Sequence, residues 1–88
     1  MSAANPYRGV SWHKNRKKWR AKVRLHNKHY DLRYWADPII AAKVYDCAAK
    51  MLYGGDAKLN FDGRPPESVP KAKIKEWLIA QGARHLFR

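Results

Sequence analysis

The chain is short and strongly basic. Its 88 residues include 19 lysines and arginines against seven aspartates and glutamates, giving a net charge of +12. Hydrophobic residues make up 45 %, which argues against wholesale disorder, and the apolar runs are too short for a membrane span or a secretory signal. The single cysteine, Cys47, excludes an internal disulfide framework and a multi-cysteine zinc site. So short a chain rarely builds both a core and a deep catalytic cleft, so these properties indicate a compact basic module with a polyanionic partner.

The positive charge is concentrated at the start of the chain. Residues 1–35 hold ten lysines and arginines and one acid, Asp31, whereas residues 36–88 hold nine cations and six acids. We therefore expect an anionic partner to bind the first third of the chain.

Residues 18–25 alternate between cationic and apolar positions with period two, which predicts a strand. Such a strand buries one face and presents a row of positive charge on the other. Residues 7–13 before it are rich in β-forming residues and end in the loop 14–17. Gly9 there predicts a bulge or the close approach of another group. The row of cations, named here the cation comb, consists of Lys18, Arg20, Lys22 and Arg24.

A third strand is predicted for residues 29–34, after a polar hairpin turn at residues 26–28. The short connections imply an antiparallel three-stranded meander. Strict alternation places Tyr30, Leu32 and Tyr34 on one side of this strand and His29, Asp31 and Arg33 on the other.

The periodicity becomes helical after Asp37 and Pro38, which suit an N-cap and a first helical turn. Gly54 and Gly55 are predicted to end this helix. The apolar stripe at helical spacing, expected to cover the sheet, consists of Ala41, Tyr45, Ala48 and Leu52. The outer side is predicted to hold Lys43, Asp46 and Lys50, with a favourable i, i+4 pair between the last two.

A second, shorter helix is predicted over residues 70–81. Ile74, Trp77 and Leu78 share one face of it, and Gly82 stops it. This helix either packs onto the domain, forms a dimer or other protein contact, or touches DNA backbone through its lysines. The predicted fold is α+β: a three-stranded antiparallel β-sheet packed against one α-helix, plus a short C-terminal helix. Residues 7–61 form the domain, 62–69 a linker and 70–82 the accessory helix.

Four segments, in this order and spacing, resemble the Apetala/ethylene-response-factor (ERF) DNA-binding domain. Residues 7–10 read YRGV, residues 19–24 WRAKVR, residues 41–49 AAKVYDCAA and residues 57–61 AKLNF. The resemblance covers residues 7–61. It implies a three-stranded sheet on one helix, with the sheet entering the major groove of duplex DNA. The distribution of charge along the chain independently places the cations on the predicted sheet.

The resemblance also carries DNA-facing positions onto this sequence. Matches to the family pattern are Arg8, Lys18 and Arg24. The chain departs from the pattern of the ethylene-response branch at several positions. Ser11 and His13 stand where that branch has arginines, and Lys22 stands where it often has an acidic residue. In strand three, His29 stands at a basic position and Asp31 at an aromatic one, and the family's Leu-Gly step reads Leu32-Arg33. These departures weaken the case for the GC-box preference of that branch.

The residue types suggest a division of labour on the DNA. Arginine can fork onto guanine O6 and N7, which lysine does less well, so base reading is expected of Arg8, Arg20 and Arg24. Phosphate contacts are expected of Lys14, Arg16, Lys17, Lys18 and Lys22. Asp31, the one acid on this face, could form an ordinary salt bridge, orient an arginine, or accept from a cytosine amine.

Other chemistry has weaker support in the sequence. His26, His29 and Asp31 form a poor metal-ligand set, and mid-helix Cys47 has no paired base, so we expect neither a metal, a cofactor nor catalysis. Trp19 shares the parity of core residues, whereas Trp12 could pack or stack on bases.

The sequence therefore predicts a sequence-specific, double-stranded-DNA-binding domain of a plant-type transcription factor in the nucleus, without a membrane or small-molecule partner. Two alternatives stay open. One is the DNA-targeting module of a mobile-element or homing-endonuclease protein. The other is an RNA-binding module, which the charge alone allows.

Overall fold

The computed structural model describes residues 7–83. Three strands, β1 (Val10–His13), β2 (Lys18–Leu25) and β3 (Lys28–Trp35), form one antiparallel sheet in the order β1-β2-β3. Two α-helices follow, α1 (Pro38–Tyr53) and α2 (Lys71–Ala80), with a 3-10 turn at Gly54–Asp56 between them. The predicted α+β fold is confirmed.

The inner face of the sheet follows from the alternation in β2. Ala21, Val23 and Leu25 are buried beneath α1, which packs on all three strands. At Gly9 the backbone passes so close to the helix that a Cβ atom would lie 2.0 Å from the ring of Tyr45, and φ is +76°. The predicted close approach at Gly9 is confirmed, and only glycine suits both constraints.

The hairpin between β2 and β3 is tighter than predicted. Only His26 and Asn27 form the turn, with φ of 50° and 64°, because Lys28 already pairs with Leu25. Positive φ at both central residues is the geometry whose twist matches that of the flanking strands. This turn therefore sets the register of the two longest strands.

A bulge in β3 reverses the predicted parity of its last residues. Lys22 pairs with Asp31, but Arg20 pairs with Tyr34, so β3 contains one extra residue between these pairs. Arg33, at the bulge, has φ of 74°. The prediction that Tyr34 lies on the core side was wrong, because the extra residue moves Tyr34 to the side of Arg20. Arg33 is exposed, away from the core.

Helix α1 begins and ends as predicted. The Asp37 carboxylate accepts a hydrogen bond from the backbone N–H of Ile39 (2.9 Å), and Gly54 caps the C-terminus with φ of 66°. More of the helix surface is buried than the predicted apolar stripe, because both the sheet and α2 pack against α1.

Asp46 departs from its predicted place on the outer side of α1. It is fully buried, and its carboxylate accepts hydrogen bonds from the backbone N–H groups of Asn60 (2.7 Å) and Phe61 (2.5 Å) instead of pairing with Lys50. The Asn60 side chain in turn bonds the backbone N–H and C=O of Arg8 (2.6 and 3.0 Å). This network ties the segment after α1 to the start of the sheet.

Helix α2 belongs to the same hydrophobic core as the sheet and α1. Ile74 and Leu78 are fully buried, and Val69 and Ala83 on either side of the helix are buried with them. Of the three alternatives for this helix, packing onto the domain is what the structure shows. Within residues 7–83, no helix is both long and apolar enough to cross a bilayer.

Candidate nucleic-acid interface

The cation comb lies on the face of the sheet opposite α1. Lys18 and Arg24, at the ends of β2, are exposed, and Arg20 and Lys22 between them are half-buried among neighbouring side chains. Cross-strand pairing places further side chains on this face, which we call the charged face. Its other strand residues are Ser11, His13, His29, Asp31 and Tyr34.

The turn between β1 and β2 adds three exposed cations next to the comb, Lys14, Arg16 and Lys17. Arg16 is held in place: its guanidinium lies 4.6 Å from the ring centroid of Tyr34, and its backbone N–H donates to His13 Nδ1 (3.3 Å). The His13 and Tyr34 rings meet edge to face, with centroids 5.0 Å apart. The bulge in β3 thus supplies an aromatic support for a turn cation, a role that strict alternation could not reveal.

Asp31 forms an ion pair within the charged face. Its Oδ1 accepts from Arg20 Nε at 3.1 Å, and the two side chains are 44 % and 33 % exposed. At this exposure solvent screens the pair, so its contribution to folding stability is small. The ion pair uses the Nε–H of the guanidinium, so its Nη1 and Nη2 donors are not engaged by Asp31.

Arg24 is positioned at the other end of the comb by the hairpin. Its Nη2 donates to Asn27 Oδ1 (2.8 Å), and its backbone carbonyl accepts from the hydroxyl of Tyr53. Both arginines of the comb therefore have a side-chain acceptor nearby. Among residues 7–83, neither Lys18 nor Lys22 has a side-chain acceptor within hydrogen-bond distance.

Two predicted site residues lie apart from the comb. Arg8 precedes β1 and lines a cleft of about 260 Å³ with Tyr45, Tyr53, Asp56 and Lys58, next to α1. Arg33, at the bulge, lies with its guanidinium 5.0 Å from the ring centroid of Trp77 in α2. The structure therefore brings together the remaining predicted residues, Ser11, His13, Lys14, Arg16, Lys17, Lys18, Arg20, Lys22, Arg24, His29 and Asp31.

The tryptophans belong to the other side of the sheet. Trp12 pairs with Trp19 across β1 and β2, with ring centroids 5.2 Å apart, and Trp19 pairs with Trp35. Trp35 contacts Trp77 of α2 (6.0 Å). The parity argument for Trp19 is confirmed, although it is half-buried at the margin of the core.

Residues with other chemistry are not assembled into a site. Burial raises the pKa of the Cys47 thiol, which holds it in the neutral, weakly nucleophilic form. Within residues 7–83, no three His, Cys, Asp or Glu side chains are grouped so that they could hold a metal ion.

No protein-family model matches the chain, and no similar curated protein was found. The resemblance to the Apetala/ethylene-response-factor domain therefore stays a prediction.

Proposed function

We propose that this chain binds duplex DNA sequence-specifically by placing the charged face of its sheet in the major groove. The observation that carries the proposal is the placement of all four comb cations on one face, while the opposite face is buried beneath α1. A surface of this kind attracts phosphates and presents arginine side chains to base edges.

The dimensions of the sheet support this mode of binding. Neighbouring strands lie about 4.8 Å apart, so three backbones span about 10 Å, within a major groove about 12 Å wide. Successive comb side chains are about 6.7 Å apart along β2, close to twice the axial rise of about 3.4 Å per phosphate of one DNA strand.

The surroundings of each cation suggest its role. Arg20 and Arg24, each held by a side-chain acceptor, are proposed to read bases. Lys18 and Lys22, with the three cations of the β1–β2 turn, are proposed to contact phosphates. Arg8 lies beside α1 and is proposed to touch DNA only at the margin of the interface.

In biological terms, we regard the chain as the DNA-binding domain of a nuclear transcription factor, and the four family-like segments support this choice. It would act without catalysis, cofactor or small-molecule substrate. A DNA-targeting module of a mobile element would use the same surface. An RNA-binding module is the remaining alternative, because the charge alone allows it. The deep, narrow major groove of A-form RNA does not admit a sheet, so such a module would have to bind single-stranded RNA.

Selection of binding sites from random duplex DNA tests the proposal. We expect enrichment of a defined sequence, and loss of binding when guanine N7 in that sequence is methylated. A chain with Lys18, Arg20, Lys22 and Arg24 replaced by glutamine is the control, because these changes spare the core. Structured RNA that competes better than the selected duplex would contradict the proposal.

Salt dependence provides a second measurement. If five to eight phosphates are contacted, log K should fall against log [salt] with a slope of roughly −0.9 per phosphate. A nearly flat dependence would contradict an electrostatic interface.

A further inference from the structure

Helix α2 is joined to the charged face by hydrogen bonds of Gln81, the residue that caps its C-terminus. Gln81 Oε1 accepts from the backbone N–H of Asp31 (2.6 Å), and Gln81 Nε2 donates to the backbone carbonyl of Asp31 (2.7 Å). The same Nε2 donates to the carbonyl of Trp77 (3.0 Å), one turn earlier in α2. The amide thus bonds the outer edge of β3 as a neighbouring strand would, and it is itself anchored to the helix.

These hydrogen bonds between the Gln81 side chain and the Asp31 backbone, called here the clasp, lie at a sensitive position because Asp31 directly precedes the bulge. Leu32 and Arg33 interrupt regular pairing there, and Arg33 has φ of 74°. At a bulge, the hydrogen bonds between neighbouring strands constrain the backbone least. By bonding both backbone polar groups of Asp31, Gln81 holds its Cα–Cβ bond in one direction, from which the carboxylate reaches Arg20 Nε.

We infer that Gln81 is a positioning residue for Arg20, so that α2 sharpens base reading by the sheet without touching the DNA. The path runs from Gln81 to the Asp31 backbone, and from the Asp31 carboxylate to Arg20 Nε. With Nε held, the Nη1 and Nη2 pair points outward in one orientation, as bidentate contact with a guanine requires. This inference rests on the proposed function.

The test compares Gln81→Met, which keeps the volume of the side chain and removes its amide, with Ala80→Ser on the exposed neighbouring position of α2. The first measurement uses no DNA: hydrogen exchange of the Arg20 Nε–H by NMR. We expect Gln81→Met to lose the protection that the wild-type and Ala80→Ser proteins show. Unchanged protection would overturn the inference.

The second measurement is the ratio of affinities for the selected duplex and for random duplex DNA. Since a bidentate arginine–guanine contact discriminates between bases, and Gln81→Met loosens this contact without removing it, we expect the variant to reduce this ratio by about fivefold, with random-DNA affinity nearly unchanged. Equal losses on both DNAs would indicate a purely structural role and overturn the inference.

A double-mutant cycle tests the path itself. Asp31→Ala removes the carboxylate and leaves the backbone clasp, so adding Gln81→Met in that background should change the ratio no further. Additive effects would overturn the relay through Asp31. If the wild-type protein selects no duplex sequence, the proposed function fails together with this inference. If it selects one and Gln81→Met retains the full ratio, the inference about Gln81 alone fails.

Discussion

Strands β2 and β3 have the same length and lie side by side, yet only β2 keeps its sequence alternation in the structure. In β2, every odd position from Ala21 to Leu25 is buried and the cations all share the other face. In β3, the bulge before Tyr34 exchanges the two faces partway along. Period-two alternation therefore predicts the faces of a strand only as far as its pairing stays regular.

The buried side of β3 is the part of this comparison with the largest energetic effect. Leu32, at the bulge, is fully buried in the core, so Leu32→Ala should lower the free energy of unfolding by about 2–5 kcal/mol. Denaturant unfolding measures this change. Ser11→Ala, on an exposed position of the charged face, is the control and should stay within about 0.5 kcal/mol of wild type. An equally small effect at Leu32 would contradict the described core.

On the outer face of β2, arginine and lysine should behave differently. Arg20→Ala should weaken binding to the selected duplex by about 1–3 kcal/mol and binding to random DNA by less, because it is proposed to read a base. Lys22→Ala should weaken both alike and make the salt slope shallower by about one unit. Titrations at several salt concentrations measure both. Identical profiles for the two variants would contradict the division between base and phosphate contacts.

The sequence predicted the elements well because each depends on local signals. The comb, the Asp37 cap, the Gly54 terminus and the Ile74 face of α2 all follow from periodicity or capping within a few residues. The candidate interface was predicted to the same extent, since most of its residues lie on β2 or beside it.

The features that the sequence did not predict depend on distant partners. In the sequence, the helical spacing places Asp46 on the surface. It is buried in the fold because the backbone N–H groups of Asn60 and Phe61 donate to its carboxylate. The bulge contains no glycine that would have predicted it. Arg33 adopts the left-handed conformation there, and its guanidinium lies over the ring of Trp77 in α2. Gln81 could not be singled out, because its partner Asp31 lies 50 residues away.

Glycine substitutions test the bulge directly. At Arg24, in regular strand, we expect glycine to be about 0.5–1 kcal/mol less stable than alanine. At Arg33 we expect the opposite order by about 1 kcal/mol, because glycine removes the penalty of the left-handed conformation that alanine retains. Comparing Gly with Ala at each position cancels the loss of the arginine side chain. Thermal unfolding of the four variants measures the crossover, and the same order at both positions would contradict the bulge.

The smallest expected effect concerns Asp31, which pairs across the two strands with Arg20. Asp31→Asn removes the one acid of the charged face, so repulsion of phosphates decreases and affinity for random DNA should rise by a fraction of a kcal/mol, about 0.2–1, as is typical of an exposed charge. The ratio of the affinities for the selected duplex and for random DNA should fall, because the amide holds Arg20 Nε more weakly than the carboxylate does. The domain should stay folded, because the Asp31 side chain is 44 % exposed and the Gln81 side chain bonds only the backbone of Asp31. Parallel titrations of both DNAs at low salt, with Asp62→Asn as the matched loss of an acid outside the sheet, measure the difference.

Weaker binding to random DNA would mean that Asp31 chiefly holds Arg20 in place for phosphate contact. An unchanged affinity for both DNAs would place Asp31 outside the interface.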